Sequence, residues 1–478
     1  MRVLFATGSA ASYMLPPILG DEQIMCGPDW ADKREPNGRV HSLKTPVGEY
    51  DLAVIAAKLS QSQQPDVVVC LVDASWRNLP RNLAAFPCPK VLLIADTHHL
   101  TAPLMNKLRY MAAEPYDRAV FLYDRHHAAF FHAAGFRNLY WFPGLTFPHS
   151  DKTVRKARTW GVRQPQIAFV GQAGALHPFR TRMLAAMSEK RLPLTQRRLS
   201  QTDSLGFYGA SLLGFNASLN GDLNLRIFEI LSTGAALLTD RLTPESGLGR
   251  LLADGREMLT YGSDQELIEK ATHALTNPRE AQAIGAAGSA WFDKHFNQAW
   301  RLSAFKSLAL DGKPVPEFDF SAEEKTRVIF GGDTDRLLQG LMVYETVQEL
   351  HRTEPVVRLT AGPGVPAEVS GFFTSLPRLR LKSGVEAPDC DLAEVAIFGK
   401  SSDVPPEAHK VWCWDVALGE REALVARMAE LGFNQINPDA AMFSPSRLIA
   451  AEHLEIARML MQINHLDKAF QHAQAAVQ

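Results

Sequence analysis

Cysteine is scarce in this 478-residue chain, and its five copies, Cys26, Cys70, Cys88, Cys390 and Cys413, form no CxxC spacing. An odd, dispersed set excludes a disulfide framework and a cysteine-built zinc site, and fits reduced thiols. No apolar segment approaches the ~20 residues needed to span a bilayer, and the opening MRVLFATGSAAS has one early arginine and then only a short apolar run. A cytoplasmic location is therefore expected. Neither sign of charge is in surplus: 50 Lys and Arg stand against 52 Asp and Glu, with a pI near 6.7. That balance provides no coat for nucleic acid and no polybasic membrane surface. A hydrophobic share of 46% and a charged share of 21% are those of an ordinary globular protein. At roughly 100 to 200 residues per domain, the length predicts about three domains.

The most informative passage is 216–240, NASLNGDLNLRIFEILSTGAALLTD. Asn216, Asn220, Gly221, Asp222 and Asn224 make a polar loop. Leu225, Phe228 and Leu231, flanked by Ile227 and Ile230, then recur at helical spacing, leaving Arg226 and Glu229 one turn apart near the helix start. Thr233-Gly234 closes the helix as a glycine C-cap, and 235–239 reads as a short strand. An arginine and a carboxylate at the positive end of a helix suit a ligand carrying phosphates and a ribose. Arg226 and the backbone amides would face the anionic part, and Glu229 would accept from ribose hydroxyls. Both are polar positions on an otherwise apolar helix, so replacing either by alanine is expected to cost little stability.

Continued through ESGLGRLLADGREMLTYGSDQELIEKATHAL, this passage resembles the donor-binding half of GT-B glycosyltransferases, in particular the group related to the spore-maturation protein CgeB. The resemblance implies that Glu229 matches the glutamate that holds the donor ribose, and that Thr239 and Asp240, at the following strand end, border the same cleft. The wider family often has an earlier glutamate about two helical turns upstream. Here Gly221 or Asp222 stands in that region, which leaves a retaining or inverting course open.

In the first part of the chain, 3–7 reads as a parallel strand opening onto the small-residue turn Gly8-Ser9-Ala10. The GT-B resemblance implies that this turn lies under the donor phosphates or the acceptor, which makes Gly8 and Ser9 candidate cleft residues. The continuous apolar runs DVVVCLV (66–72) and VLLIA (91–95) are strands buried on both faces. Their alternation with helical stretches predicts a doubly wound α/β domain, with ligands beyond the carboxyl ends of the strands. That rule selects Asp73, Ser75 and Trp76 after the first run, and Asp96, Thr97, His98 and His99 after the second. A carboxylate and imidazoles at a strand end can supply a base and its orienting partner. His98 is the preferred catalytic group with Asp96 beside it, and Asp73 and His99 are placed on the acceptor side of the cleft. DTHH, followed by FPGL at 142–145, is also similar to the CgeB-type group. The echoing Asp124-Arg125-His126-His127 raises the possibility of a metal, but it lies in a helical segment, where adjacent histidines point in different directions. No metal site is expected.

Residues 143–164 contain prolines and then Lys152, Arg155, Lys156 and Arg158, and read as an interdomain connection. A second strand, small-residue turn and helix then begin at Ile167, with Gly171-Gln172-Ala173-Gly174 as the turn. The resemblance makes Arg180 the arginine that follows the FVG strand and pairs with the donor pyrophosphate; with Arg226 it would neutralise the leaving diphosphate without a metal. From 264 to 275 and from 279 to 310 the sequence is helical and amphipathic. The resemblance implies that the region near 291–308 is a strap crossing back to the first domain; a helix that simply closes the core of the second domain is the alternative.

After the proline-containing linker 311–320, RVIFGG, PVVRLTAG, DLAEVAIFG and HKVWCW look like strands alternating with helices at 337–350 and 420–431, making a smaller α/β domain without a nucleotide fingerprint. Asp333-Thr334-Asp335 resembles a metal-binding DxD but is read as a helix cap, and Asp389-Cys390-Asp391 repeats the pattern by chance. The last stretch resembles a single tetratricopeptide unit, which must dock on its own chain or on another.

The expected organisation is thus an α/β GT-B protein. It has an acceptor-side Rossmann-like domain at 1–150, a nucleotide-sugar-binding one at 151–312, a small α/β domain at 321–440 and a TPR-like hairpin at 445–478. It would move a sugar from a nucleotide-sugar, with a UDP-sugar expected, to a protein or glycan acceptor. Gly171, Arg180, Asn224, Arg226, Glu229, Thr239 and Asp240 would hold the donor. No separate cofactor and no nucleic acid are expected, and the hairpin offers a surface for a protein partner or for self-association. A nucleotide-sugar epimerase on the same plan and a non-catalytic sugar-nucleotide-binding scaffold are the competing classes.

Overall fold

The computed structural model describes residues 1–8, 15–72, 77–95, 97, 103–158, 162–174, 177–219 and 221–325, and beyond them 357–361, 379–383, 394–398, 411–413, 426, 429–430, 433–437, 442–445 and 474. Ser9, Asp73, Ser75, Trp76, Asp96, His98, His99 and Asn220 lie outside the described residues. So do the RVIFGG strand, the helix at 337–350, nearly all of the helix at 420–431, both DxD segments and nearly all of the terminal hairpin. One compact unit comprises 1–97, 107–131 and 136–325; the chain from 326 onward belongs to a second.

The first part of the larger unit contributes ten strands. These are β1 (Arg2–Thr7), β2 (Glu22–Gly27), β3 (Lys33–Arg34), β4 (Val40–Lys44), β5 (Gly48–Asp51), β6 (Val67–Val72), β7 (Asn78–Arg81), β8 (Lys90–Ile94), β9 (Arg118–Phe121) and β10 (Leu139–Trp141). Eight of them form one sheet in the order β10-β9-β8-β6-β1-β2-β4-β3, parallel except where β3 meets β4, while β5 and β7 pair separately. The second part contributes β11 (Gln164–Val170), β12 (Leu194–Arg197), β13 (Ser211–Phe215), β14 (Ala236–Asp240) and β15 (Leu259–Tyr261). They form a fully parallel sheet in the order β12-β11-β13-β14-β15. The larger unit is therefore an α/β fold with two parallel sheets.

The apolar runs explain the strand positions. Val67, Val68, Val69 and Cys70 in β6, and Val91 to Ile94 in β8, are all but inaccessible, as expected of strands covered on both faces. Strand order reverses at β1, which lies between β6 and β2, and at β11, which lies between β12 and β13. Those are the switch points at which doubly wound sheets bind ligands, and the small-residue turns at Gly8 and Gly171 follow them.

The helix Pro278–Phe296, the helix Gln298–Lys306 and the turn Ser307–Asp311 return along the first half. Arg301 donates through Nη1 to the Phe147 carbonyl at 2.5 Å, Arg118 donates to the Leu310 carbonyl at 3.2 Å, and Tyr140 to that of Gly312 at 2.9 Å. The Phe292 ring packs on Phe147 and the Trp300 ring on Phe142. This is the crossing that the resemblance implied for 291–308.

In the second unit β16 (Val357–Ala361), β17 (Leu379–Ser383), β18 (Glu394–Phe398), β19 (Val411–Cys413), β20 (Phe433–Asn437) and β21 (Met442–Pro445) form one sheet. Its order is β17-β16-β18-β19-β21-β20, with β21 antiparallel to both of its neighbours, β19 and β20, and the other pairs parallel. The strands β17, β20 and β21 were not anticipated, because LRLKS, FNQIN and MFSP carry no continuous apolar run. Among the described residues no helix is long and apolar enough to cross a membrane.

Candidate functional site

The helix Leu225–Thr233 begins at Asn224, whose backbone is extended (φ −64°, ψ 162°), and ends at Gly234, whose left-handed φ of 74° is the glycine stop read from the sequence. One face of this helix packs into the second half through Ile227, Phe228, Ile230 and Leu231. Its first turn meets the carboxyl end of β11. Arg226 donates from Nε to the Val170 carbonyl at 2.9 Å and from Nη1 to Asn216 Oδ1 at 3.0 Å. Gly171 must be small here, since a Cβ would stand 2.6 Å from Arg226 Nη2.

Arg180, in the helix Pro178–Glu189, comes to the same place from the other side. It donates to the carbonyls of Gln172 at 2.8 Å and Ala217 at 3.1 Å. The guanidinium carbons of Arg226 and Arg180 lie 4.9 and 5.7 Å from the centroid of one ring, that of the fully buried Phe169. Two like charges are thereby held against the negative face of a single aromatic platform. His177, beside both arginines, has its pKa lowered to about 4, first by burial and then by their charges, so it is neutral near pH 7.

Glu229 is buried, and burial raises its carboxyl to about 7 against the opposing pull of Arg226. The half-buried Asn224 leaves both amide atoms inaccessible and without a hydrogen-bond partner among the described residues, at the head of a helix whose first amides need acceptors.

Thr239 and Asp240 shape the adjoining loop. Asn216 Nδ2 donates to Thr239 Oγ1 at 2.9 Å, Asp240 accepts from the Ser218 amide at 2.9 Å and from the Ser218 hydroxyl, and Gly221 N donates to Ser218 Oγ at 3.1 Å. Tyr261, at the end of β15, donates to the Asn216 carbonyl at 3.0 Å. The structure thus brings Gly171, Arg180, Asn224, Arg226 and Glu229 together, with Thr239 and Asp240 as the frame of the neighbouring turn.

One expectation is corrected. Arg226 and Glu229 are not exposed positions that alanine replaces at little cost: Arg226 ties the helix to β11 and the 216–222 loop, and the Glu229 side chain fills space in the packed interior. Periodicity identified the apolar face but could not show that a neighbouring strand end covers the polar one.

In the first half Gly8 follows β1, half-buried, at the switch point. Of residues 96–99, only Thr97 is described. Its hydroxyl donates to Asp124 Oδ2 at 2.6 Å and lies 2.5 Å from His127 Nδ1, and all three residues are buried. Thus Thr97 of DTHH meets Asp124 and His127 of DRHH beyond the ends of β8 and β9. The expectation that His126 and His127 point apart also fails: Arg125–His127 is a 3-10 turn, and the ring centroids are 4.1 Å apart.

Sequence reasoning missed Lys107 as well. This buried cation donates to the carbonyls of Val72 at 2.8 Å and of Ala95, at the ends of β6 and β8. A lysine alone in an amphipathic helix gives no sequence signal of that role. The Phe169 platform was equally hidden, since an aromatic in a buried strand reads as core.

Residues 155–307 match the family model described as glycosyl transferase-like. A comparison with curated proteins gave no match. Among solved structures, the chain is similar to Anabaena HepE in complex with UDP-glucose, with 12% identity, a TM-score of 0.41, and coverage of 64% of this chain and 98% of that one. It is also similar to sucrose-phosphate synthase from Thermosynechococcus elongatus (10% identity, TM-score 0.42, 64% and 98%) and to TarM (9%, 0.39, 52% and 56%). The family match spans β11 to the returning helices and includes every residue of the Arg180, Arg226 and Glu229 constellation.

Proposed function

We propose that the protein is a GT-B glycosyltransferase of CgeB-like type that transfers a hexose from a nucleotide-sugar, a UDP-sugar in the first instance, to a protein or glycan acceptor. The observation that carries this reading is the pair of guanidiniums on the Phe169 ring beside the buried Glu229, inside the stretch that matches the glycosyl transferase-like model. A leaving nucleoside diphosphate needs preorganised positive charge in a water-poor site. Arg180 and Arg226 offer it in fixed positions, and the Asn224 amide supplies a further polar group at the helix head. Glu229 would take the ribose hydroxyls. HepE is a protein solved with UDP-glucose, in keeping with a uridine donor.

On this reading the diphosphate is neutralised by side chains and helix amides, and the chemistry needs no metal. The catalytic group of the acceptor side is assigned to His98 with Asp96, and Gly8, Ser9, Asp73 and His99 are assigned to the acceptor. The carboxy-terminal hairpin is assigned to partner binding or self-association, and the protein to the cytoplasm.

The test is a thermal-shift panel of UDP-, GDP- and dTDP-linked sugars, followed by product analysis with the labelled sugar-nucleotide that binds. Saturable stabilisation by one nucleotide class, and release of its diphosphate with EDTA present, is expected. No binding by any of them overturns the reading. Epimerised donor without transfer gives the site to an epimerase.

A further inference from the structure

The geometry points to a metal site of zinc class in the first half, built from Asp124, His126 and His127, that the glycosyl-transfer reading neither needs nor predicts. Each of the three offers a ligand atom, and these atoms lie within 4.8 Å of one another. Ligands about 2.0 to 2.2 Å from a shared tetrahedral zinc stand roughly 3.3 to 3.6 Å apart, so a modest closing movement completes the set. Both ring nitrogens of the partly buried His126 are turned inward, and Asp124 and His127 are buried, so all three candidate ligands lie on the protein side of the turn.

Their orientation comes from Thr97. With His127 Nδ1–H donating to the Thr97 hydroxyl and that hydroxyl donating to Asp124, one side chain fixes both the imidazole tautomer and the carboxylate. In that tautomer the unprotonated nitrogen of His127 is Nε2. A hydrogen-bonding group that orients metal ligands in this way is the usual outer support of such a centre. Two imidazoles and one carboxylate select a first-row ion such as Zn²⁺ or Co²⁺ over Mg²⁺ or Ca²⁺, which prefer all-oxygen sets. Full burial of His127 argues against its acting as a base on a substrate, and gives the ion a bracing role.

What it braces is visible in the same turn. Tyr123 accepts from the Leu223 amide at 3.1 Å, just before the Asn224 helix head. Arg125 donates to the Glu245 carbonyl at 2.9 Å and to Glu324 at 2.5 Å, its guanidinium lying over the rings of Trp141 and Phe320. An ion at 124–127 therefore fixes the first-half turn on which loops of the second half rest. Its loss lowers stability and leaves the diphosphate-binding arginines in place.

The experiment titrates Co²⁺ into chelator-stripped full-length protein and reads visible absorption, stoichiometry and the metal-induced shift in Tm. One equivalent bound, with ligand-field bands and a rise in Tm, is expected. His126→Ala and Asp124→Asn should each weaken binding at least tenfold and abolish the Tm shift. His41→Ala and His273→Ala, which remove the surface pairs with Glu35 and Glu280, should leave both unchanged. Because the shift is measured against each variant's own metal-free Tm, lowered basal stability does not blur the outcome. Equal Co²⁺ affinity and shift in His126→Ala and the parent, or binding without ligand-field bands, overturns the proposal.

Discussion

The two halves of the larger unit both reverse strand order at their first strand but hold their polar groups in different ways. In the second half, Arg226, Arg180, Gly171 and Glu229 converge on one strand end and one helix head, largely within 169–229, and the main anchors of the arginines are backbone carbonyls. In the first half, Thr97, Asp124 and His127 come from the ends of two strands and are held by one another. A site anchored on backbone survives as a local sequence signature. One assembled from side chains across strands leaves only an echo, such as DTHH and DRHH.

The largest effect expected to separate the halves is on turnover. Arg180→Ala and Arg226→Ala should each lower it by roughly 100-fold or more and weaken donor binding, as loss of a preorganised electrostatic contact does. His98→Ala and Asp96→Asn should lower turnover by a similar factor at unchanged donor affinity, which is the mark of an acid–base group. Initial rates beside nucleotide titrations check both, and parallel loss of affinity in all four variants would erase the contrast.

Proton linkage should act on the halves in opposite directions. Glu229 has a folded pKa raised to about 7 from 4.5, so the folded state binds the extra proton and stability falls as pH rises from 4.5 to 7. Glu229→Gln should therefore gain on the order of 3 kcal/mol at pH 8 and nothing at pH 4, in urea melts at each pH. In the first half His149 is lowered to about 4 from 6.5, mainly by burial and then by Arg301, so its contribution is intact above 6.5 and is lost as pH falls toward 4. His149→Gln should flatten that acid slope. A slope unchanged in both variants would show that neither buried group governs the pH response.

The smallest effect is steric. Gly171→Ala puts a Cβ against Arg226 Nη2 and should cost about 1 to 3 kcal/mol, with part of the loss appearing as weaker donor binding because the guanidinium is displaced. Gly8→Ala, at the matching turn of the first half, is the paired measurement by thermal melting.

The sequence by itself determined the alternation of buried strands and helices, the helix Leu225–Thr233 with its glycine stop, and the strand-end turns at Gly8 and Gly171. These follow from apolar periodicity and from turn chemistry, both of which act between near neighbours in the chain. The strap at 291–308 came from the resemblance to GT-B proteins, with the large aromatics there as its candidate anchors. Only the tertiary structure decided that Phe169 carries two arginines, that Glu229 is buried with its carboxyl pushed up to about 7, and that Asp124, His126 and His127 turn toward one another beneath Thr97. Those outcomes depend on which strand lies beside which and on how much water each group loses on packing, and neither is encoded in the spacing of residues along a single segment.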